Sequence, residues 1–227
     1  MGPAATVDLL HKIVESTPAT CDQEHLAVVA VSDPDIPDRT AAILGYGPDP
    51  WPALLERLQH LLRLEPDLIL LPCHTAHYWF DQLQEHSPVP LLHMIQVVAD
   101  RAQAMLGRAG VVGLMATSGT LAAGLYQESL GQRGMETLVP DPDHQKELME
   151  IIRAVKAGLP RTELCTRARA VSGELKQAGA ELLVLGCTEM PLLLTADDGG
   201  IPLLDATRLL AERAVEAVRN QENLGQY

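Results

Sequence analysis

Short apolar runs recur along the chain, each closed off by Gly, Pro or Asp. They lie at residues 26–32 (LAVVAVS), 67–72 (DLILLP), 89–94, 110–116 (GVVGLMA), 135–140, 181–186 (ELLVLG) and 201–206. Their length and their Val, Leu and Ile content predict β-strands. Several are apolar at nearly every position, which predicts strands covered on both faces. Between them the apolar spacing becomes helical. Leu54, Leu55, Leu58, Leu61 and Leu62 share one face, with Pro52 near the start and Pro66 past the end. Ile95, Val98, Ala102 and Met105 mark a second helix, Leu148, Ile151, Ile152 and Val155 a third, and Leu210, Ala214 and Val218 a last one. Strands alternating with helices predict an α/β fold built from mainly parallel sheets with helices on both faces.

The pattern also repeats. DLILLPCHTAH and ELLVLGCTEM each hold a strand that ends at a cysteine, Cys73 and Cys187. A Pro-Leu-Leu strand follows each, at Pro90 and Pro202, and then a helix. One βα plan used twice predicts two similar lobes, related by a pseudo-twofold axis, with a cleft between them. The expected division is residues 1–95 for an N-terminal lobe, to which residues 205–227 can return, and residues 96–204 for a C-terminal lobe. One member of the repeat is unmatched. In the second half GVVGLMA leads into TSGTLAAGLYQESL, whereas in the first half the similar MGPAATVDLLHKIV has no strand ahead of it. The repeat therefore predicts a further strand ahead of Met1, lost to a late start or a truncated product. Its loss would leave an unpaired sheet edge.

With 227 residues the chain can bury the core that two such lobes need. A net charge of −13 argues against nucleic acid and against an anionic membrane surface as partners. No apolar run reaches transmembrane length, and no secretory signal opens the chain. Four cysteines, Cys21, Cys73, Cys165 and Cys187, are too few for a disulfide framework, which predicts free thiols and a cytoplasmic location.

In open α/β sheets ligands bind beyond the carboxyl ends of the strands. Cys73 and Cys187 sit at two such ends. If the lobes face one another, two sulfurs approach one cleft from opposite sides. That arrangement suits removal of a proton from carbon on one face and its return on the other, which inverts a stereocentre. Thiolate is the base and thiol the acid, and a helix N-terminus beside each cysteine would favour the thiolate. Thr75, Thr188 and nearby backbone N–H groups could hold a substrate carboxylate. Two readings compete. Each cysteine can be a small buried hydrophobe, and Cys73, His74 and His77 can form a metal site. Arg39 is the one cation in the Pro- and Asp-rich loop at residues 32–45, with Asp38 placed to pin its guanidinium. It is a candidate for a substrate acid group, and Lys156 at a helix end can face the same cleft. A surface ion pair and an exposed helix-end cation are the structural alternatives.

At these residues the chain resembles the aspartate/glutamate racemase family, and its aspartate racemase branch in particular. The stretches that carry the resemblance are MGPAATVDLLHKIV, IPDRTAAILG, PCHTAH, TSGT, VKAG and GCTEMPLL, spread over essentially the whole chain. The resemblance implies a racemase that uses neither pyridoxal phosphate nor a metal, with Cys73 and Cys187 as the acid/base pair. Arg39 and Lys156 would bind the carboxylates of an acidic amino acid, and Thr75, Thr117, Thr120 and Thr188 would line the anion site. It further implies a cytoplasmic homodimer. His74 stands where the family has Asn, a residue that helps hold the substrate. A hydantoin racemase, a maleate isomerase, a malonate decarboxylase or an inactive ligand-binding relative would share the scaffold.

Overall fold

The structure, a computed structural model, describes residues 2–107, 109–195, 198 and 200–220. Two parallel sheets form. In the N-terminal half β1 (Ile69–Leu70) pairs with β2 (Leu91–Leu92), Ile69 opposite Leu91 and Leu70 opposite Leu92. In the C-terminal half β3 (Val111–Leu114), β4 (Glu136–Leu138), β5 (Leu182–Leu185) and β6 (Leu203–Asp205) form one sheet in the order β4-β3-β5-β6. The fold is α/β, with two lobes and helices between the strands. Among the described residues no helix is long and apolar enough to cross a membrane.

The apolar runs are continuous because both faces of each sheet are covered. Successive side chains of a strand point to opposite faces. Leu182 and Val184 join Val112 and Leu114 in a core shared with α1 (Pro3–Ser16), α5 (Met94–Leu106), α7 (Leu125–Gly131) and α10 (Ala206–Arg219). Leu183 and Leu185 face the other way, into the core of α8 (Pro142–Lys156) and α9 (Arg161–Gln177). In the N-terminal lobe Ile69 and Leu91 pack on Leu54 and Leu58 of α3 (Trp51–Leu62) and on Phe80 and Leu83 of α4 (Phe80–Glu85). Their neighbours Leu70 and Leu92 turn to the α1/α5/α10 core. Lys12, nearly buried on α1, ties that helix to the end of β6 through Asp205 at 2.7 Å, and Asp8 is its second carboxylate partner.

The helical periodicities at residues 54–62, 95–105, 148–155 and 210–218 fall in α3, α5, α8 and α10. The return of residues 205–227 is described as far as Asn220, and there α10 packs against α1. One strand expectation fails. Residues 26–32 are extended but pair with no strand among the described residues. Pairing is not encoded in a strand's own pattern. It needs a neighbour, and none lies beside this segment.

Candidate active site

Both cysteines reach one cleft, lined from the N-terminal lobe by Arg39, Cys73, His74 and Thr75 and from the C-terminal lobe by Thr117, Lys156, Cys187, Thr188 and Glu189. The free space between them is about 20 Å³, room for about one water.

Each cysteine follows a strand, as the sequence predicts, but the helix expected after each is only a 3₁₀ turn at first. Residues Thr75–Trp79 lead into the short α4, and Met190–Leu192 are followed by no α-helix before β6 among the described residues. A single 3₁₀ turn aligns few peptide dipoles, so the expected thiolate-stabilising field is small. At Cys187 other effects dominate. Burial, and then the charge of Glu189, push its thiol well above the ordinary cysteine value, and Lys156 only partly counters them. Its Sγ donates to Glu189 Oε2 at 3.0 Å, and Thr188 Oγ1 donates to the same oxygen at 3.2 Å. Gly186 makes the turn possible. A Cβ there would lie 2.6 Å from Leu114 Cδ1, so only glycine lets the chain leave β5 this close to β3.

The threonines join the lobes. Thr75 Oγ1 lies 2.9 Å from both Thr117 Oγ1 and Thr120 Oγ1, and the latter two are 3.0 Å apart. Thr117 also caps α6 (Ser118–Ala122), accepting from the Thr120 N–H. Thr75 and Thr117 line the cleft, whereas Thr120 is fully buried behind them and braces them. The short α2 (Arg39–Ile43) packs on α6. Gly119 permits that approach, since a Cβ there would lie 2.7 Å from Thr40 Cα.

Arg39 is buried at the start of α2. The Asp38 clamp expected from the sequence does not form, because the Asp38 carboxylate caps α2 by accepting from the Ala41 N–H at 2.8 Å. Arg39 Nη1 instead donates to the carbonyls of Ile36 (2.9 Å) and Pro37 (2.7 Å), and its buried Nε has no protein partner. Lys156 stands at the exposed rim, at the end of α8. Partial desolvation pulls its ammonium down, but Cys187, Glu189 and Cys73 outweigh that and raise its pKa.

His74 is buried, with Nδ1 2.9 Å from the Tyr126 hydroxyl and no partner for Nε2. Burial holds it neutral, with its pKa down to about 3, and keeps Tyr126 a phenol. His77 accepts from the Met94 N–H through Nε2 at 3.1 Å, so Nδ1 carries the proton and donates to the Cys73 carbonyl at 2.9 Å. With both ring nitrogens used, His77 has no lone pair left for a metal, and Cys73, His74 and His77 do not converge on one point among the described residues. Sequence reasoning passed over two partners. Glu189 is signalled only by its place two residues after Cys187, and Tyr126 only by its rarity in a chain with one Phe and four Tyr.

The profile of the Asp/Glu/Hydantoin racemase family matches residues 1–214. A broad specificity amino-acid racemase of Bacillus subtilis, RacX, is 25% identical over 224 residues, covering 95% of this chain and 93% of its own. A glutamate racemase of Deinococcus radiodurans is 30% identical over 180 residues, 76% of this chain and 54% of its own. Among solved structures, an aspartate racemase of Picrophilus torridus superposes with a TM-score of 0.83 at 29% identity, covering 96% of this chain and 90% of that one.

Proposed function

The chain belongs to the Asp/Glu/hydantoin racemase family and is an isomerase of the racemase type; from that premise we propose that it interconverts the L and D forms of aspartate, or of a similar acidic amino acid, by proton transfer at Cα between two cysteines. The observation that carries this reading is the single cleft that holds Cys73 from one lobe, Cys187 from the other and two cations.

In one direction the Cys73 thiolate takes the α-proton, and the electron pair passes into the substrate carboxylate. Cys187 then delivers its proton to the opposite face of Cα and is left as the thiolate. The raised pKa of Cys187 suits it to the acid role in the resting protein. The opposite enantiomer uses the complementary form, with Cys187 thiolate as base and Cys73 thiol as acid. Glu189, hydrogen-bonded to Sγ, can take up the Cys187 proton when that form is generated.

Arg39 presents its unpartnered Nε to one carboxylate, and Lys156 meets the other as a point charge. Two cations in one small cleft favour a diacid. The hydroxyls of Thr75 and Thr117 can exchange a mutual hydrogen bond for a stronger one to the charged oxygen that develops as the proton leaves. With Tyr126 donating to Nδ1, neutral His74 carries its proton on Nε2 and offers a donor at the place where the family has Asn. The free space holds little more than a water, so the lobes separate to admit a four-carbon diacid.

Optical rotation tests the reading. Purified protein with L-aspartate, and separately with D-aspartate, should bring the signal to zero without any added cofactor. No change with either enantiomer of aspartate or glutamate, alongside turnover of a hydantoin, would overturn it. The broad specificity of the Bacillus relative favours a wider reading in which neutral amino acids also react, and alanine in the same assay decides that.

A further inference from the structure

Two buried rings meet behind the cysteines. His74 lines the cleft and is 2% exposed, whereas Tyr126 is fully buried and is not part of the lining. Tyr126 is the second residue of α7, just past Gly124, whose left-handed φ of +68° turns the chain out of α6. Its hydroxyl lies 2.9 Å from His74 Nδ1, across 52 residues of sequence. The ring centroids are 5.7 Å apart and the planes are inclined by 34°. Tyr126 has no second polar partner among the described residues, and neither has His74 Nε2.

Counting protons assigns the pair. A phenol has one proton to donate, and a neutral imidazole has one proton for two nitrogens. Burial keeps both rings in those forms, with His74 down to about pKa 3. With the imidazole proton on Nδ1, the phenol proton and the Nε2 lone pair would both be left unmade in the interior. With Tyr126 donating to Nδ1, the phenol proton is satisfied and a single group, Nε2–H, waits for a partner. Each unmade bond to a buried group is costly, so the second arrangement holds, and an acceptor entering the cleft completes it.

We propose that Tyr126 is a positioning and specificity-determining residue, which locks His74 as a hydrogen-bond donor to a carboxylate oxygen of the ligand and denies it the acceptor role. This rests on the diacid reading of the cleft. Donation to Nδ1 also polarises the ring and strengthens Nε2–H toward an anion. The rest of the lining agrees. Arg39 Nε is a second buried donor without a partner, whereas the Glu189 carboxylate already accepts from Cys187 and Thr188. Beside His74 a carboxylate oxygen is therefore paired. The N–H of a side-chain amide or of a hydantoin ring at that place would face another donor and be rejected.

Nitrogen NMR of the histidine rings tests this in the native chain, with the His74 signals identified by their absence from His74→Asn. The proton should reside on Nε2, with Nδ1 unprotonated, and the Nε2 proton should move downfield when malonate binds. A proton on Nδ1, or an Nε2 proton that bound malonate leaves in place, would overturn the proposal. Calorimetry with malonate then isolates Tyr126. Tyr126→Phe should weaken binding by about tenfold and spread the His74 proton over both nitrogens. An asparagine amide carries its donor in every orientation, so adding Tyr126→Phe to His74→Asn should cost less than about twofold. An equal loss in both backgrounds would make Tyr126 a packing residue only. Malonate has no stereocentre, so these readings need no turnover. Racemisation by a chain whose His74 proton sits on Nδ1 would sink this proposal alone. A native chain that does not bind malonate would sink the diacid reading, and with it the ligand named here.

Discussion

The two lobes carry the same cysteine on unequal supports. In the C-terminal lobe β5 is a central strand, its residues buried on both faces and paired on both edges. In the N-terminal lobe β1 has two paired residues and, among the described residues, a strand neighbour on one edge only. Cys73 and Cys187 nevertheless meet in one cleft, because the N-terminal site is braced from outside its own sheet. The Thr75, Thr117 and Thr120 hydroxyls join the lobes, and the His77 ring links the Cys73 carbonyl to the start of α5. Strand pairing and site geometry are separable. A lobe can hold its cysteine turn through polar contacts to its partner while its own sheet has only two short strands.

Acid should expose this inequality most strongly. His74, His77 and His93 all belong to the N-terminal half, and burial depresses all three pKa values, His74 to about 3 and His93 to about 4. Between the unfolded value of 6.5 and those depressed values the unfolded chain binds protons that the native chain does not. Stability is therefore full above pH 6.5 and falls on acidification, by about 4 kcal/mol per pH unit for three such groups. Urea unfolding from pH 7 down to pH 4.5 should show that slope, with amides of the N-terminal lobe losing protection first. A C-terminal lobe that opened first would break the comparison.

Side-chain truncation sharpens it. Leu183 on β5 is fully buried, and Leu183→Ala should cost about 2–5 kcal/mol. Leu70 on β1 is half-buried, and Leu70→Ala should cost only about 1–2 kcal/mol. Equal shifts in urea midpoint would mean that the N-terminal sheet is as well supported as the other. A smaller effect concerns the cysteines themselves. Glu189→Gln removes a charge that holds the Cys187 thiol up and leaves Lys156, which pulls it down. Thiolate absorbance followed with pH should show Cys187 ionising at lower pH in that variant. A shift to higher pH would contradict the assigned role of Glu189.

Most of the architecture was legible because it is periodic. The strands at Cys73 and Cys187 and the helices α3, α5, α8 and α10 are written in local apolar spacing. The helix α9 was not read, because its buried stripe is only Leu164, Ala168, Val171, Ser172 and Leu175 among many charged residues. The run at residues 26–32 was read as a strand, and as a pattern it is one, but pairing depends on a neighbour the segment cannot specify. The cleft that holds Cys73 and Cys187 was legible from the repeat, whereas Arg39 and Lys156, which line it too, were favoured only by the family resemblance. The Tyr126 contact to His74 joins residues far apart in sequence, and no local spacing announces it. The Asp38–Arg39 pairing failed for the opposite reason. Adjacency suggested an ion pair, but the helix start claimed the carboxylate first.

The central claim is that two cysteines from unequal lobes work on opposite faces of one carbon. Proton NMR of L- and D-aspartate in deuterated water, with the native protein, Cys73→Ser and Cys187→Ser, tests it most directly. The account predicts loss of the α-proton signal from both enantiomers with the native protein. It also predicts a fall in racemisation of at least about 100-fold in each variant, with any residual exchange confined to one enantiomer and to the opposite one in the other variant. Racemisation at native rates in either variant, or equal exchange from both enantiomers in both, would contradict it.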